Sequence, residues 1–385
     1  MADADLHHLA GVLRESGVRR VHSFAWRDLD DPDAGGSEVH ADEILSRWAA
    51  AGLEIVHRTS SYDIPRSFER NGYQVEQAGG RISVLARSPW HALLHDRRQA
   101  DAVVDIWNGL PWWSPVWFRG PKVTWLHHLH TDMWAQSFQR HWAIAGRFTE
   151  GRVAPFVYRR QRVVTLSPSS KDSLVRQGFR DEQVDVVAPG IDPMFRPDES
   201  ARSSTPLVVA VGRLAPVKRY LDLAAAVQRA RETHPSLTLE IVGDGPERPA
   251  IEAWRDTHHA GGWMVLRGRI DDAELVRTYQ RAWVAASASL AEGWGMALTE
   301  AAACGTPSVA TDIAGHRDAV VDGRSGLLVR EPALLGDALA SLVSHPARLA
   351  ELRAGALQRA TELTWDHAAL GHLQVLAAEA ARHRR

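Results

Sequence analysis

Short apolar runs alternate along the first half of the chain with segments in which apolar residues recur at helical spacing. The clearest helix is predicted at 37–51, where Val39, Ile44 and Trp48 share one face and Gly52 ends the pattern. A β-hairpin is predicted from strands at 72–77 and 81–86. Further strands are predicted at 19–26, 53–58, 102–107, 122–126, 162–166 and 184–187, with a helix at 168–177. This alternation is typical of a parallel sheet with helices on both faces.

A second series of the same kind begins at Leu207, after a proline-rich segment without periodicity at 189–206. Its strands are predicted at 207–211, 237–242, 263–266, 283–287, 308–311 and 326–329, and its helices at 220–233, 249–258, 272–280, 299–304 and through most of 332–385. A length of 385 residues favours two domains. We predict an N-terminal Rossmann-like domain at 1–195, a C-terminal Rossmann-like domain at 196–365 and a final helix at 366–385. The crevice between the domains is the expected ligand site.

Composition and charge exclude several classes of protein. The chain is 45% hydrophobic and 24% charged, which argues against disorder and a collagen-like fibre. The single cysteine, Cys304, excludes an internal disulfide framework and a zinc site built on several cysteines. The net charge of −2 gives no general attraction to nucleic acid. Because the sequence shows no bilayer-length apolar stretch and residues 1–16 lack a signal-peptide pattern, we expect a cytoplasmic protein.

The strongest chemical pattern lies at 288–310. Glu292 and Glu300 are eight residues apart, and Gly293 and Gly295 allow the backbone to approach a ligand closely. A helix is predicted to begin beyond them, with Glu300 in its first turn, and the N–H groups at a helix start favour phosphate. Carboxylates would repel phosphate unless they face hydroxyl groups, so the pattern favours a ligand that carries both a diphosphate and a sugar. The alternative is a solvated loop that only caps a helix.

The sequence E-G-W-G-x-x-x-x-E at 292–300, followed by A-x-x-x-G-x-P-x-V-A, resembles the signature of family 4 of the retaining glycosyltransferases. Four other segments resemble motifs of that family in the expected order: 35–38, 189–192, 211–214 with Lys218, and 241–246. The resemblance covers residues 20–370. It implies an α/β protein of the GT-B fold, with two Rossmann-like parallel-sheet domains facing across a cleft. It also implies that the final helix returns to the N-terminal domain.

The resemblance assigns a role to each matching residue. Glu300 would bind the ribose of a nucleotide, and Glu292 would contact the transferred sugar. Arg213 and Lys218 would stabilise the negative charge that develops on a departing diphosphate. The implied catalytic residues are His127, Glu292, Arg213 and Lys218. The implied donor-binding residues are Gly35, Gly36, Arg213, Lys218, Asp244, Arg269, Ile270, Glu292, Gly293, Gly295, Met296, Ala297, Leu298 and Glu300.

Three histidines follow a predicted strand, at His127, His128 and His130. On an extended backbone His128 and His130 share a face that His127 opposes, so a metal site would need further ligands. A purely structural role is the other alternative. The resemblance instead places His127 near the transferred sugar, with His130 as a second candidate on the acceptor side. We predict no metal site.

The acceptor is expected on the N-terminal domain, near the tryptophan-rich segment 107–142, although most of these rings are also suited to the core. The tryptophan candidates are Trp112, Trp113 and Trp134. The segment 140–180 carries nine basic residues against Glu150 and Asp172. It is either a solvated face or a weak peripheral contact with anionic lipid or a phosphorylated acceptor.

No obligatory cofactor is predicted. The sequence has no D-x-D metal motif in a donor-binding context, and the acidic loop at 28–33 is expected to be solvated. NAD is excluded because Arg248 stands where the third glycine of G-x-G-x-x-G would be.

The resulting functional hypothesis is a retaining transferase for a hexose-type sugar. Its donor would be a sugar linked to UDP, GDP, ADP or TDP, and its acceptor a hydroxyl group on a small molecule, lipid or glycan. One alternative is another GT-B reaction, that of a sugar-phosphate synthase or that of a phosphorylase. A phosphorylase of this fold would need pyridoxal phosphate on a lysine. The other is a catalytically inactive protein that binds sugar nucleotides.

Overall fold

The computed structural model describes residues 2–32, 34–80, 83–84, 100–108, 111–127 and 149–384. The chain forms two compact units, Met1–Gly190 together with Trp365–Arg385, and Ile191–Thr364. The division falls after residues 190 and 364, compared with the predicted boundaries at 195 and 365. Because the chain re-enters the first unit at Trp365, the last helix belongs with the N-terminal half.

The first unit is built on one eight-stranded sheet. Its strands are β1 (Arg20–Phe24), β2 (Glu54–Thr59), β3 (Ser67–Arg70), β4 (Tyr73–Gln77), β5 (Ala102–Trp107), β6 (Lys122–Leu126), β7 (Arg162–Thr165) and β8 (Val184–Val186), and its helices are α1 (Ala2–Glu15), α2 (Gly36–Ala50), α3 (Ser114–Trp117), α4 (Ala154–Tyr158) and α5 (Pro168–Arg176). The strand order is β3-β4-β2-β1-β5-β6-β7-β8. β3 runs antiparallel to β4, and the other neighbouring strands are parallel. All six residues of β5 are buried, as expected for a central strand covered on both faces.

The predicted hairpin has the wrong partner strand: the strand at 72–77 was expected to pair with 81–86 and pairs with β3 instead. β4 pairs antiparallel with β3, and its other edge pairs with β2, so both edges of β4 are occupied. The turn between β3 and β4 consists of Asn71 and Gly72, with φ of 46° and 82°. Positive φ at both positions is the geometry of a tight two-residue hairpin turn. Within the predicted strand at 81–86, the described residues are Ser83 and Val84.

The C-terminal helix, Trp365–His383, packs against α1, α2 and β6 of the first unit. Trp48 Nε1 on α2 donates a hydrogen bond to Ala369 O at 2.9 Å, and Arg47 Nε donates to Asp366 Oδ1 at 2.8 Å. His372 of the C-terminal helix meets Trp125 of β6 edge to face, and Trp125 also meets Trp48 of α2, which places the C-terminal helix over the aromatic core. Across the described ranges, no helix combines the length and hydrophobicity needed to cross a membrane.

The second unit is built on one six-stranded parallel sheet. Its strands are β9 (Leu207–Val211), β10 (Thr238–Val242), β11 (Met264–Gly268), β12 (Val284–Ser287), β13 (Ser308–Thr311) and β14 (Gly326–Val329), and its helices are α6 (Tyr220–Thr233), α7 (Arg248–Thr257), α8 (Asp272–Arg281), α9 (Met296–Ala303), α10 (Ala314–Ala319), α11 (Leu335–Ser344) and α12 (Pro346–Thr361). The strand order is β11-β10-β9-β12-β13-β14. Every neighbouring pair is parallel.

Each sheet has a point where the strand order reverses. In the second unit this point lies between β9 and β12, and in the first unit it lies between β1 and β5. Loops that leave the carboxyl ends of such neighbouring strands diverge to opposite faces and open a crevice that binds ligands in this type of sheet. The fold thus directs attention to the loops after β9 and β12 and to those after β1 and β5.

Candidate functional site

The loops after β9 and β10 are joined by backbone contacts at the carboxyl edge of the second sheet. Leu214 N–H donates a hydrogen bond to Asp244 O at 3.0 Å. Gly243 has a φ of +130°, and a Cβ at this position would lie 2.0 Å from Gly212 O. Glycine is therefore required for this close approach. Arg213 leaves the junction with an exposed side chain.

Lys218 ends the 3₁₀ turn Pro216–Lys218 and forms an ion pair with Glu292 of the loop after β12. The same carboxylate oxygen of Glu292 accepts a hydrogen bond from Ser289 Oγ at 2.8 Å. The Lys218 and Glu292 side chains are 25% and 17% exposed, so the pair is held in place but accessible. An ammonium group has three N–H donors, so the lysine can bind a phosphate while it contacts the carboxylate. The structure thus brings together two predicted site residues that are 74 positions apart.

The loops that carry this pair also support each other through their backbones. Leu290 N–H donates to Val217 O at 2.8 Å, which ties the Glu292 loop to the Lys218 turn. A Cβ on Gly315 would lie 2.4 Å from Glu292 O, so the start of α10 packs directly on the Glu292 backbone. The backbone of the Glu292 loop is therefore held from two sides.

His316 on α10 is a site neighbour that the sequence analysis missed. It is buried, and its Nδ1 lies 2.8 Å from Thr311 O, so Nδ1 is the protonated nitrogen because a carbonyl only accepts. Burial lowers the pKa of His316, which favours the neutral ring. Its Cδ2 lies 3.5 Å from the place a Cβ would take on Gly295. No local sequence pattern marks this histidine, since the helix that carries it was not predicted.

The helix α9 begins at Met296, three residues before the predicted start at Thr299. Gly295 precedes it with a φ of +113°, a left-handed conformation that glycine adopts without strain. The first N–H groups of the helix, at Met296 and Ala297, precede its hydrogen-bonding pattern, as is usual at a helix start. Leu298 N–H, by contrast, donates to Gly295 O at 2.9 Å and is already used. The predicted anion site is thus best formed by the amides of Met296 and Ala297.

Glu300 lies in the second turn of α9, which corrects the predicted position in the first turn. Its Oε2 accepts a hydrogen bond from the hydroxyl of Tyr279 at 2.9 Å. Burial, together with the negative charges of Asp272 and Asp192, raises the pKa of Glu300 to about 7. Tyr279 is fully buried on α8, and its partnership with Glu300 was not visible in the sequence. The Glu300 side chain therefore has a fixed orientation and a pKa near neutral pH.

Three further predicted donor-binding residues follow the neighbouring strands β10 and β11. Gly243 N–H donates to Gly268 O at 2.8 Å, which brings the two strand ends together. Asp244 and Arg269 have exposed side chains, and Ile270 is half-buried. All three lie on the sheet edge that also carries Arg213, but their contact with a nucleotide base stays a prediction.

In the first unit, α2 begins at Gly36 with Gly35 as its N-cap. Gly35 N–H donates to the Glu38 carboxylate at 2.8 Å, so the donor of Gly35 is used within the chain, and Glu38 complements the helix dipole. Asn108, which follows β5, donates from Nδ2 to Ser37 Oγ at 2.9 Å. The helix start is thus anchored at the point where the strand order of this sheet reverses. Both glycines are exposed.

His127 follows β6 and is 8% exposed. Its Nε2 lies 3.3 Å from Nδ1 of His40 on α2, and the two rings meet edge to face. In the part of the chain that the structure describes, no group of three or more His, Cys, Asp or Glu residues has a metal-binding arrangement. His128 and His130 lie outside the described residues. The structure thus pairs the implied sugar-contacting histidine with a residue that the sequence analysis missed.

The prediction of a solvated acidic loop is wrong for Asp28 and Asp31, which are 2% and 5% exposed. Both oxygens of Asp28 accept hydrogen bonds from Arg70 of β3, at 2.7 and 2.9 Å. Gln77 Nε2 adds a third at 2.7 Å, and this set of donors holds the pKa of Asp28 below its ordinary value in spite of burial. Asp33 lies outside the described residues. A salt bridge to strand β3 thus fixes the loop after β1.

The tryptophan candidates separate into different environments. Trp112 is 1% exposed and packs on Phe24, with Nε1 donating to Ile106 O at 3.2 Å, which does not fit a contact with an acceptor. Trp113 is half-buried and has a left-handed φ of 58°. Trp134 lies outside the described residues. Of the described candidates, Trp113 keeps the surface that stacking on a sugar would need.

Two α/β units, each built on a largely parallel sheet, are the architecture of the GT-B class of glycosyltransferase folds. Sucrose-phosphate synthase from Thermosynechococcus elongatus aligns with a TM-score of 0.77 and 22% identity, over 92% of this chain and 98% of that one. HepE from Anabaena, solved in complex with UDP-glucose, aligns with a TM-score of 0.71 and 18% identity, over 92% and 98%. These alignments confirm the predicted fold class.

Family comparisons then identify the group within that class. Residues 34–195 match the model described as Glycosyltransferase Family 4, and residues 193–359 match Glycosyl transferases group 1. The D-inositol 3-phosphate glycosyltransferase of Rhodococcus jostii (strain RHA1) is 35% identical over 407 residues, which span 94% of this chain and 88% of that protein. The chain belongs to family 4 of the glycosyltransferases, as the motifs predicted.

Proposed function

We propose that this glycosyltransferase moves a hexose-type sugar from a nucleoside diphosphate sugar to an acceptor hydroxyl, with retention of anomeric configuration. The observation that carries the proposal is the Lys218–Glu292 pair at the reversal point of the second sheet. In this pair the ammonium of Lys218 would bind the diphosphate, and the adjacent carboxylate of Glu292 would bind sugar hydroxyls. Retention is supported by the resemblance of the 292–310 segment to the retaining family.

In the proposed reaction the donor binds to the second unit. Departure of the nucleoside diphosphate leaves additional negative charge on the phosphate next to the sugar. The ammonium of Lys218, the guanidinium of Arg213 and the amides of Met296 and Ala297 stabilise this charge as it develops. Glu292 accepts hydrogen bonds from hydroxyls of the transferred sugar. The proposal needs no resident metal or cofactor.

Glu300 is assigned to the ribose hydroxyls of the donor. A carboxylate accepts hydrogen bonds from two neighbouring hydroxyls, and the hydroxyl of Tyr279 holds one of its oxygens in place. Binding of those hydroxyls favours the ionised form of Glu300. In the first unit, His127 is assigned to the transferred sugar and the region of Trp113 to the acceptor.

The donor assignment is tested by a thermal-shift screen with UDP-, GDP-, ADP- and TDP-linked sugars, since a ligand that binds only the folded state raises Tm. UDP-glucose is the first donor to test, because it is the ligand of the similar HepE structure. We expect one nucleotide series to raise Tm, and the free sugars serve as controls. Product analysis by NMR then reports the anomeric configuration. The proposal fails if none of the sugar nucleotides binds.

A pH-dependent difference in stability is expected for Glu300→Gln. Burial raises the pKa of Glu300 from its ordinary 4.5 to about 7 in the folded protein, so the fold favours the protonated carboxyl. The contribution of the Glu300 carboxyl to the free energy of unfolding is therefore fully present below pH 4.5 and is lost as the pH rises through about 7. Glutamine resembles the protonated acid, so the variant should gain about 2 kcal/mol over wild type between about pH 5 and about pH 8, with allowance for solvent screening.

Urea denaturation of both proteins at the two pH values measures this change. Glu331→Gln, at an exposed carboxylate of the same unit, is the matched control and should show little pH-dependent difference. A Glu300→Gln effect of equal size at both pH values would contradict the raised pKa.

A further inference from the structure

Three buried histidines meet behind the end of β6. His127 contacts His40 of α2, and His40 contacts His372 of the C-terminal helix, with ring centroids 4.7 and 4.9 Å apart. Burial lowers the pKa of His40 well below its ordinary value. Burial and the neighbouring His127 lower the pKa of His372 to about 3. His40 and His372 are therefore neutral near pH 7, and each carries one N–H proton.

The surroundings of His40 decide which of its nitrogens carries that proton. Nδ1 lies 3.3 Å from Nε2 of His127, whereas Nε2 is buried without a hydrogen-bond partner among the described residues. A proton on Nε2 would be a buried donor that has no acceptor, which is the rarer defect in folded proteins. A proton on Nδ1 is instead used in the bond to His127, and the bare Nε2 costs less.

We propose that His40 is a positioning residue for His127, whose Nε2 accepts the Nδ1–H of His40 and whose own proton is thereby fixed on Nδ1. In this tautomer Nδ1 of His127 is an N–H donor, so a contact between Nδ1 and the sugar would be made to an oxygen that accepts. In this tautomer neither nitrogen of His127 can take the proton of the acceptor hydroxyl. The inference rests on the proposed function and adds the direction of one hydrogen bond to it.

The tautomers are read directly from the wild-type protein labelled with ¹⁵N-histidine. Long-range ¹H–¹⁵N correlation spectra distinguish Nδ1–H from Nε2–H rings, and His40→Asn and His127→Gln variants assign the two signals. We expect both rings to be protonated at Nδ1. An Nε2–H signal for His127 overturns the inference whatever the activity of the protein.

A rescue experiment tests the effect on catalysis. His40→Leu removes the donor and should lower kcat about tenfold, with the donor KM unchanged. His40→Asn restores an N–H close to the position of Nδ1 and should bring kcat to within about threefold of wild type. His372→Leu removes a buried imidazole that has no bond to His127 and is the matched control, with kcat within about threefold of wild type. Equal losses in the Leu and Asn variants of His40, or a change confined to KM, contradict the inference.

Failure of this inference is distinguishable from failure of the proposed function. If wild type binds no sugar nucleotide in the thermal-shift screen, the function is wrong, and the labelled spectra still report the tautomer. If the donor binds and His127→Gln loses activity while His40→Leu does not, the function stands and the role of His40 is wrong. If His40→Leu does not fold, the wild-type spectra and the Asn variant decide.

Discussion

Replacing Lys218 by alanine is expected to lower kcat for sugar transfer by about 10²- to 10³-fold, the usual effect of removing one group that stabilises transition-state charge. The structure suggests a second contribution. Without the ammonium, Glu292 keeps its carboxylate beside the departing phosphate and repels it. The loss should therefore appear in kcat more strongly than in KM, because the additional charge develops only in the transition state. Steady-state transfer with the donor found in the thermal-shift screen measures both constants.

Arg219→Ala is the matched control for this prediction. Arg219 is the next cation along the chain, but its ion-pair partner is Asp222, to whose Oδ2 its Nε donates at 2.6 Å. Its loss should change kcat by less than about threefold, as for an exposed ion pair. The double variant Lys218→Ala/Glu292→Gln should lose less activity than the sum of the two single variants, since the repulsion is removed. Equal losses in Lys218→Ala and Arg219→Ala would contradict the role of the pair.

Most strands of both sheets could be predicted from the sequence because they are buried and parallel. The runs that became β5, β6 and β9 are mostly apolar or β-branched, with Asp105 in β5 and Lys122 at the start of β6 as exceptions, and their predicted bounds match the structure. The site segments follow strands in the same way. Since ligands bind at the carboxyl ends of parallel strands, the positions of Arg213, Lys218 and Glu292 after β9 and β12 could be expected as well.

The errors arose where a distant partner decides the local structure. Asp28 is buried because Arg70, 42 positions away, neutralises it, and no local pattern reveals such a pair. The partner strand of the hairpin was predicted after β4 in the sequence, whereas β3 precedes it, although Asn71–Gly72 is a strong turn signal. The helix α9 starts earlier than predicted because Gly295, rather than a side-chain cap, ends the preceding loop.

The polar partners in the site were hidden for the same reason. Tyr279 binds Glu300 from another helix, and His40 meets His127 from 87 positions away. The sequence motifs therefore predicted groups that would face a ligand, and their contact with one stays a prediction. The groups that orient them became visible only when the helices were packed on the sheets.

Gly243→Ala is expected to destabilise the second unit by about 3 kcal/mol or more. A methyl group at residue 243 would lie 2.0 Å from Gly212 O and 2.9 Å from Gly212 C, and these are backbone atoms that cannot rotate away. The φ of +130° adds strain for any residue with a Cβ. To relieve this steric clash, the loops after β9 and β10 must separate, and their separation breaks the hydrogen bond from Leu214 N–H to Asp244 O.

Gly261→Ala in the same unit provides the control, because a Cβ there would meet nothing within 4 Å. It should change the free energy of unfolding by less than about 1 kcal/mol. Thermal and urea unfolding, followed by tryptophan fluorescence, compare the two variants, and sugar-nucleotide affinity reports the site. Since Arg213 lies in the loop after β9, between Gly212 and Leu214, Gly243→Ala should also weaken donor binding under conditions where it remains folded. Equal stability of the two variants would show that the loops after β9 and β10 are not packed as the structure has them. The position of Arg213 in the loop after β9 would then also be wrong.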